Sequence, residues 1–536
     1  MFLLAALPFC AVPALLGAGR PQPSALRTVS LNLPGAPAAV ISADLDGDGH
    51  RDLLVVVAYN QWDEVAITES STMDDVQGLV ETMTIVPAVM DRREVRFYRA
   101  RPAGSYEPPR VLALPLSVLA MEAGPPGTPV VALTDDGASA LRLEGAGLRL
   151  EPWIADPPVM AHTGNFLGDL NLVEDVDGDG IPDLLLPARD GVAVYLGRPK
   201  DKALARRAAS RVPVPGEAWR SIADLEHRYP LPKVEDVNGD DKPDLVFRDP
   251  VRRWRSVWVA RGEGAGKFAA PVEVVLGTGD PKAPNPVWVG DLEGNGLAEV
   301  VLRQSLDDSK RGSIRQEIEK ARVPHSRLTF RRLSRDLVLE KAPHRTFDVT
   351  GYGFESTDSE IELPGGFKDI NGDDRPDLIT VTMDVGVAKV LGSLATKRLT
   401  IGLDFHVWCQ QKDGSFRPVK GLDLSGSFKV DLNDLRVSQL SLFNGDFDGD
   451  GKADFVQLGR GKRVTIHRGR ADCSFPAEPD MSFDLKKEPR DLSLVQIRDL
   501  DGDGRSDIMV THPQRAVEEG FVQPVRLDLY LSGGAK

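Results

Sequence analysis

Short apolar runs recur along this chain, each following a polar stretch rich in aspartate and glycine. They read Leu53-Leu-Val-Val-Val57, Leu184-Leu-Leu186, Leu245-Val-Phe247, Val300-Val-Leu302, Leu378-Ile379, Phe455-Val456 and Ile508-Met-Val510. Runs this short, bounded by turn-forming residues and rich in branched side chains, predict buried strands rather than helices. A second apolar stretch precedes several of the polar segments, as in Ala39-Val-Ile41, Val287-Trp-Val289 and Leu494-Val-Gln-Ile497. Each polar segment is therefore predicted to join two strands of a hairpin.

The polar segments are seven copies of one nine-residue loop. Oxygen-bearing side chains stand at positions 1, 3, 5 and 9, glycine lets the backbone curl between them, and the carbonyl of position 7 completes the set. In chain order the predicted ligands are Asp44, Asp46, Asp48, His50 and Asp52; then Asp175, Asp177, Asp179, Ile181 and Asp183; then Asp236, Asn238, Asp240, Lys242 and Asp244. The later copies supply Asp291, Glu293, Asn295, Leu297 and Glu299; Asp369, Asn371, Asp373, Arg375 and Asp377; Asp446, Asp448, Asp450, Lys452 and Asp454; and Asp499, Asp501, Asp503, Arg505 and Asp507. Position 7 contributes only its carbonyl, which is why its side chain varies freely.

A near-complete cage of protein oxygens suits calcium, which takes six to eight of them, better than magnesium, which keeps its waters in a tight octahedron. An EF-hand would continue into a helix and place Glu at position 12. Here position 9 runs straight into a strand and position 12 is never Glu, so the bidentate role is expected to fall to the position 9 carboxylate. Up to seven calcium sites are expected. Asp241 and Asp374 replace glycine at position 6, where Asp tolerates a left-handed backbone. The loop beginning at Asp291, with Glu293, Asn295 and Glu299, is expected to bind most weakly.

Successive first aspartates lie 131, 61, 55, 78, 77 and 53 residues apart, so the first gap has room for an extra unit. Laying Leu119 to Gly137 over Val173 to Gly191 matches Val130-Val-Ala-Leu133 to Leu184-Leu-Leu-Pro187 and Asp136-Gly137 to Asp190-Gly191. Met121, Ala123, Pro125 and Pro129 stand at the ligand positions of this unit, so it keeps its strands and has lost the ion. Units of about four short strands, with turn signals at Gly266-Lys-Phe268, Asp413-Gly-Ser-Phe416 and Asp472-Cys-Ser-Phe475, predict an all-β fold, a closed β-propeller of four-stranded blades. Eight blades are favoured, and the alternative is seven with residues 100–150 as an insertion. The last unit lacks a fourth strand, which Leu26 to Leu33 can supply from the N-terminus.

These loops and their setting resemble the FG-GAP and VCBS repeat family, whose relatives include the calcium-bearing blades of integrin alpha subunits. The resemblance covers most of residues 26–536. It implies calcium loops between strands 1 and 2 of each blade, with binding often on the opposite face, and it identifies a fold and an ion rather than an activity.

The formal charge is −15, but the loops hold 27 of the 80 acidic residues, and the rest of the chain balances 65 basic against 53 acidic. The acidity thus belongs to the loops, and divalent ions would bring the chain close to neutral. This argues against a disordered or nucleic-acid-mimicking surface. At free calcium about 100-fold above the dissociation constant each site would add roughly 2.7 kcal/mol of stability.

The opening Met1–Gly19 resembles a signal peptide without a basic start; as a membrane anchor it is short and interrupted by Pro8 and Pro13. Secreted, periplasmic or cell-surface placement follows, with no membrane span once the leader is removed. Cys409 and Cys473 lie near equivalent points of adjacent units and could pair, though two isolated thiols are the expectation.

Long insertions at 60–93, 304–326, 383–397 and 512–524 all fall between a second and a third strand, and so on the face opposite the ions. Long loops on a rigid scaffold are the usual place for binding surfaces, although neutral decoration explains them as well. Ser309 to Ala321 reads as a helix, and its charge run as a solvated face. Trp254, Trp258, Trp288 and Trp408 lie in strand-like runs and read as core. The histidines are scattered and no nucleophile, zinc or phosphate motif occurs, so no catalytic residue is assigned. The favoured reading is a monomeric interaction or adhesion scaffold for a protein or glycan at the cell surface, with no nucleic-acid partner. The alternatives are a carbohydrate-active enzyme, a polysaccharide lyase or hydrolase, and a calcium sensor.

Overall fold

The computed structural model describes residues 26–533, apart from 36, 60–91, 102–104, 124–128, 146, 160–171, 199–202, 215–230, 249–255, 278–282, 308–322, 354–364, 385–397, 420–423, 432–435, 438–439, 459–461, 490–493 and 514–524. The leader, the predicted helix at 309–321 and Trp254 lie outside the described residues.

Among the described residues eight antiparallel blade sheets follow one another, seven of four strands and the sixth of six, with two further two-stranded sheets beside them. Blade 1 comprises Pro37–Ala43, Asp52–Tyr59, Arg92–Tyr98 and Arg110–Ala113. Blade 2, the unit without a loop, comprises Val118–Ala123, Val130–Thr134, Gly137–Glu144 and Gly147–Ile154. Eight blades are therefore present and residues 100–150 are not an insertion. Blades 3 and 4 begin at Val173–Glu174 and Lys233–Glu235, and blades 5 and 6 at Asn285–Gly290 and Gly366–Lys368. Blade 7 begins at Leu440–Phe443 and blade 8 at Val495–Arg498.

The second strands read as continuous apolar runs because both of their faces are covered. Leu53, Val55 and Val57 point toward blade 8 and pack with Leu31, Leu527, Leu529 and Leu531. The intervening Leu54 and Val56 point toward blade 2 and pack with Val118, Met121 and Leu141. Side chains alternate along a strand, so one five-residue run feeds two inter-blade cores. Each such buried Val or Leu contributes on the order of 1.5–3 kcal/mol. The same sharing continues around the ring: blades 2 to 4 through Leu133, Leu185 and Phe247, blades 4 and 5 through Val259 and Val300, and blades 5 and 6 through Phe330 and Leu378. Phe405 with Phe455 joins blades 6 and 7, and Ile466 with Ile508 joins blades 7 and 8.

Closure is made by the N-terminal strand. Arg27–Leu33 runs antiparallel to Val525–Leu531, from Arg27 opposite Leu531 to Leu33 opposite Val525. It is the fourth strand of a blade whose other three come from the C-terminus, so the chain has no free end blade. Ser42 Oγ also donates to the Leu500 carbonyl at 2.7 Å, tying blade 1 to blade 8.

Trp258, Trp288 and Trp408 are half-buried and pack against the inter-blade cores. Trp288 lies 5.5 Å from Phe367 and Trp408 5.0 Å from Phe347, ring centre to ring centre, within the core shared by blades 5 and 6. One sequence expectation is overturned: Cys409 and Cys473 are joined in a disulfide, with Cα atoms 5.8 Å apart. Cys409 ends the third strand of blade 6, Arg398–Gln410, and Cys473 sits in the turn after the third strand of blade 7. Their separation of 64 residues in sequence hid a contact that only the stacking of adjacent blades creates.

Candidate functional site

All seven acidic loops connect the first and second strands of their blades, on one face of the ring. Their shape is set by the position 1 aspartate. In the first loop Asp44 Oδ1 accepts the N–H groups of Gly47 and Asp48, and Oδ2 accepts that of Gly49. Asp175 and Asp446 do the same at the equivalent residues. This curl requires a left-handed residue at position 6. Gly49, Gly180 and Gly451 supply it with φ of 85°, 80° and 81°, while Asp241 and Asp374 adopt 62°. Position 5 then receives the N–H of position 7, as in His50 to Asp48, Ile181 to Asp179, Lys242 to Asp240 and Arg505 to Asp503. Leu297 to Asn295, Arg375 to Asp373 and Lys452 to Asp450 complete the series.

Position 9 is buried in every copy, Asp52, Asp244, Glu299, Asp377 and Asp507 being fully so. One oxygen accepts the N–H of position 2 in the same loop: Leu45, Val176, Val237, Leu292, Ile370, Phe447 and Leu500. In six copies the other oxygen reaches across to the end of the third strand, to the N–H of Ala100, Gly197, Gly262, Gln410, Gly469 or Ser532. Gly197, Gly262 and Gly469 are held to glycine by space, since an added Cβ would lie 2.2–2.4 Å from the carbonyl oxygen of position 8. The position 9 carboxylate, expected from the sequence to be the bidentate ligand, is thus also the pin between loop and sheet. In Asp52, Asp183, Asp377 and Asp454 each oxygen accepts one of these bonds and keeps a second lone pair.

Burial pushes the carboxyls of Asp52, Asp183, Asp377 and Asp454 up to about 6, and those of Asp507 and Glu299 up to about 7, with neighbouring carboxylates adding to the rise and the backbone donors opposing it. Asp177, Asp448 and Asp501, all at position 3, are raised by burial as well. One oxygen of each of these three is buried with no hydrogen-bond partner. Buried carboxylate oxygens facing other carboxylates are an arrangement that a divalent cation relieves. Oxygens of Asp175, Asp177 and Asp183 converge within 4.8 Å of one another, as do those of Asp446, Asp448 and Asp454, and those of Asp44, Asp46 and Asp48. These residues fit a hard cation. Its chemistry would be structural, the neutralising of crowded charge.

The sequence reading did not find the residue that faces position 9 on the third strand. Arg99 Nε lies 2.5 Å from Asp46, Arg468 Nε 3.3 Å from Asp448, and Arg332 Nη2 2.7 Å from Glu293. Cys409 holds the same place in blade 6, where the Asn371 amide lies 3.7 Å from its sulfur. In each case position 3 of the loop touches this residue. A signal was present, because Arg99-Ala100, Arg261-Gly262 and Arg468-Gly469 each set an arginine before a small residue at the end of the third strand. The variable insertions before it break the register that would have exposed it.

The opposite face carries the connections between second and third strands. The strands reach a few residues beyond the expected bounds, so the connections are 60–91, 306–324, 385–397 and 514–524. They leave from the ends of the strands away from the acidic loops. Their interiors lie outside the described residues. Among the described residues no helix is long and apolar enough to cross a membrane.

An FG-GAP-like repeat model matches residues 236–302 and 446–510. The two stretches hold the loops beginning at Asp236 and Asp291 and those beginning at Asp446 and Asp499. No curated protein matches the chain. Among solved structures, a protein from Lactobacillus plantarum is similar at 9% identity and a TM-score of 0.25, covering 84% of this chain and 86% of its own. The WD40 domain of Toxoplasma gondii coronin aligns at 8% identity and 0.30, over 96% and 88% of the two chains. A rhamnogalacturonan lyase, YesW, aligns at 11% identity and 0.22, over 96% and 69%. At these scores the likenesses carry no argument, and function has to be read from the chain's own residues.

Proposed function

The chain is a propeller that carries FG-GAP-like repeats, and from that premise we propose that it is a calcium-stabilised scaffold outside the cytosol, holding a protein or glycan partner on the face opposite its acidic loops. The observation that carries the calcium reading is the set of buried, unpartnered oxygens on Asp177, Asp448 and Asp501, each surrounded by further carboxylates. A divalent cation would relieve the desolvation and mutual repulsion of these carboxylates. The Cys409–Cys473 disulfide supports an oxidising compartment, as does the leader-like opening of the sequence.

The partner reading rests on the division of labour between faces. Loops shaped by short-range hydrogen bonds occupy one side, and connections of widely varying length occupy the other, where sequence can change without disturbing the blades. Thermal melting in calcium and in chelator tests the first half: a melting temperature lowered by more than roughly 10 °C on chelation is expected, given several sites of a few kcal/mol each. An unchanged temperature would sink it. For the second half, binding to a glycan array and to a panel of surface proteins is compared between the full chain and a variant with 514–524 replaced by a short Gly-Ser turn. Loss of binding with unchanged melting supports the assignment; turnover of a polysaccharide by the full chain would replace it with the enzyme reading.

A further inference from the structure

The loop beginning at Asp291 is built differently from the other six. Its position 3 side chain, Glu293, is one methylene longer than aspartate, and both of its oxygens are already engaged. Oε2 accepts from Arg332 Nη2 at 2.7 Å and from the Asn295 amide at 3.2 Å. Oε1 lies 3.0 Å from Arg345 Nη2 and 3.2 Å from His344 Nε2. Arg332 Nε lies 3.8 Å from Glu299 Oε1, within ion-pair range of position 9 but without a hydrogen bond, both atoms being buried and unpartnered. Position 5 is Asn295, which here turns an N–H donor toward position 3.

The second guanidinium is held in place from outside the loop. Arg345 donates to the carbonyls of Gly414 and Asp413 in the neighbouring blade and stands 6.0 Å over the Phe330 ring. The Gln410 amide of the same neighbour donates to the Leu292 carbonyl at 3.0 Å. By charge, three carboxylates face two contacting guanidiniums here. In the first loop four carboxylates, Asp44, Asp46, Asp48 and Asp52, face one contacting guanidinium, that of Arg99.

We propose that this fourth loop carries its own cation: the Arg332 guanidinium, braced by Arg345, takes the role that a divalent ion plays in the other loops, so the loop stays folded and joined to blade 6 without calcium. A planar guanidinium satisfies a carboxylate through fixed N–H donors, and two of them around Glu293 leave it no free oxygen for a metal. The inference rests on the calcium reading of the other six loops.

Native mass spectrometry of the intact chain, equilibrated with excess calcium and then desalted, counts the ions bound. Six are expected for the unchanged protein. Asp175→Asn should lower the count by one and Asp291→Asn should leave it unchanged. Whatever the starting total, a count lowered by Asp291→Asn overturns the proposal, and so does a total of seven. No bound ion at all would overturn the calcium reading and this inference together, since the fourth loop would then differ from no other. As a second measurement, Arg332→Gln is expected to lower the melting temperature equally in calcium and in chelator. Full rescue of Arg332→Gln by calcium would show that the loop accepts the ion and would overturn the assignment.

Discussion

The Arg27 guanidinium lies 3.3 Å from Asp501 Oδ2, so the strand that closes the ring from the N-terminal side touches the last acidic loop of the C-terminal side. Asp501 has another oxygen that is buried and unpartnered, and its carboxyl is raised by burial. Without an ion, Arg27 is the cation in contact with it. A double-mutant cycle of Arg27→Gln and Asp501→Asn is expected to give a coupling of about 0.5–1 kcal/mol in chelator and close to zero in calcium. Equal coupling under both conditions would mean that no ion takes over at this loop.

Removal of a position 9 carboxylate should be among the most damaging single changes. Asp183→Ala strips acceptors from the Val176 and Gly197 N–H groups and leaves a cavity, for an expected loss of about 3 kcal/mol. Asp183→Asn keeps the shape but sets an N–H against one of those donors, for about 1–2 kcal/mol. Chemical denaturation checks both, and a loss under 0.5 kcal/mol for the alanine variant would refute the pin.

Stability in chelator should fall as pH rises. The position 9 carboxyls titrate near 3.8 to 4.5 when unfolded, and at about 6 to 7 when folded, for Asp52, Asp183, Asp377, Asp454, Asp507 and Glu299. Between those values the folded chain holds more protons than the unfolded one, so deprotonation penalises the fold. The loss begins above pH 4 and is complete above about pH 7. Calcium should flatten or reverse the slope by favouring the charged form. Urea melts across pH 4 to 8, with and without calcium, measure it; rising stability in chelator over that window would contradict the prediction.

Breaking the disulfide should loosen the junction of blades 6 and 7. Loop-closure entropy for residues 64 apart assigns it roughly 4 kcal/mol, and the Cys409→Ser/Cys473→Ser variant is expected to show most of that loss. Since Asn371 packs on the Cys409 sulfur, the loop beginning at Asp369 is the one whose ion binding should weaken with it. A variant with unaltered melting would mean the bridge is dispensable.

Much of this protein was written locally. Second strands such as Leu53–Val57 announce themselves because two cores need both faces of one strand, and the nine-residue loops because position 1 must accept the N–H groups of positions 4 to 6. Even the decayed second unit kept its apolar run, Val130–Leu133, after losing every ligand. Interactions of that range depend on neighbours in the chain, so spacing alone records them.

What escaped lies between strands that long insertions separate. The guanidiniums of Arg99, Arg332 and Arg468 meet their loops at sequence distances set by connections of unequal length, so no fixed spacing marks them. The thiols of Cys409 and Cys473 looked isolated because nothing near either one in sequence points at the other. The blades and their loops were legible in the residues alone, with eight units favoured over seven, since hairpin geometry and alternating burial are short-range. Which guanidinium or sulfur meets the loops beginning at Asp44, Asp291, Asp369, Asp446 and Asp499 is settled in three dimensions, because that contact is made when the third or fourth strand comes back beside the loop and the next blade stacks against it.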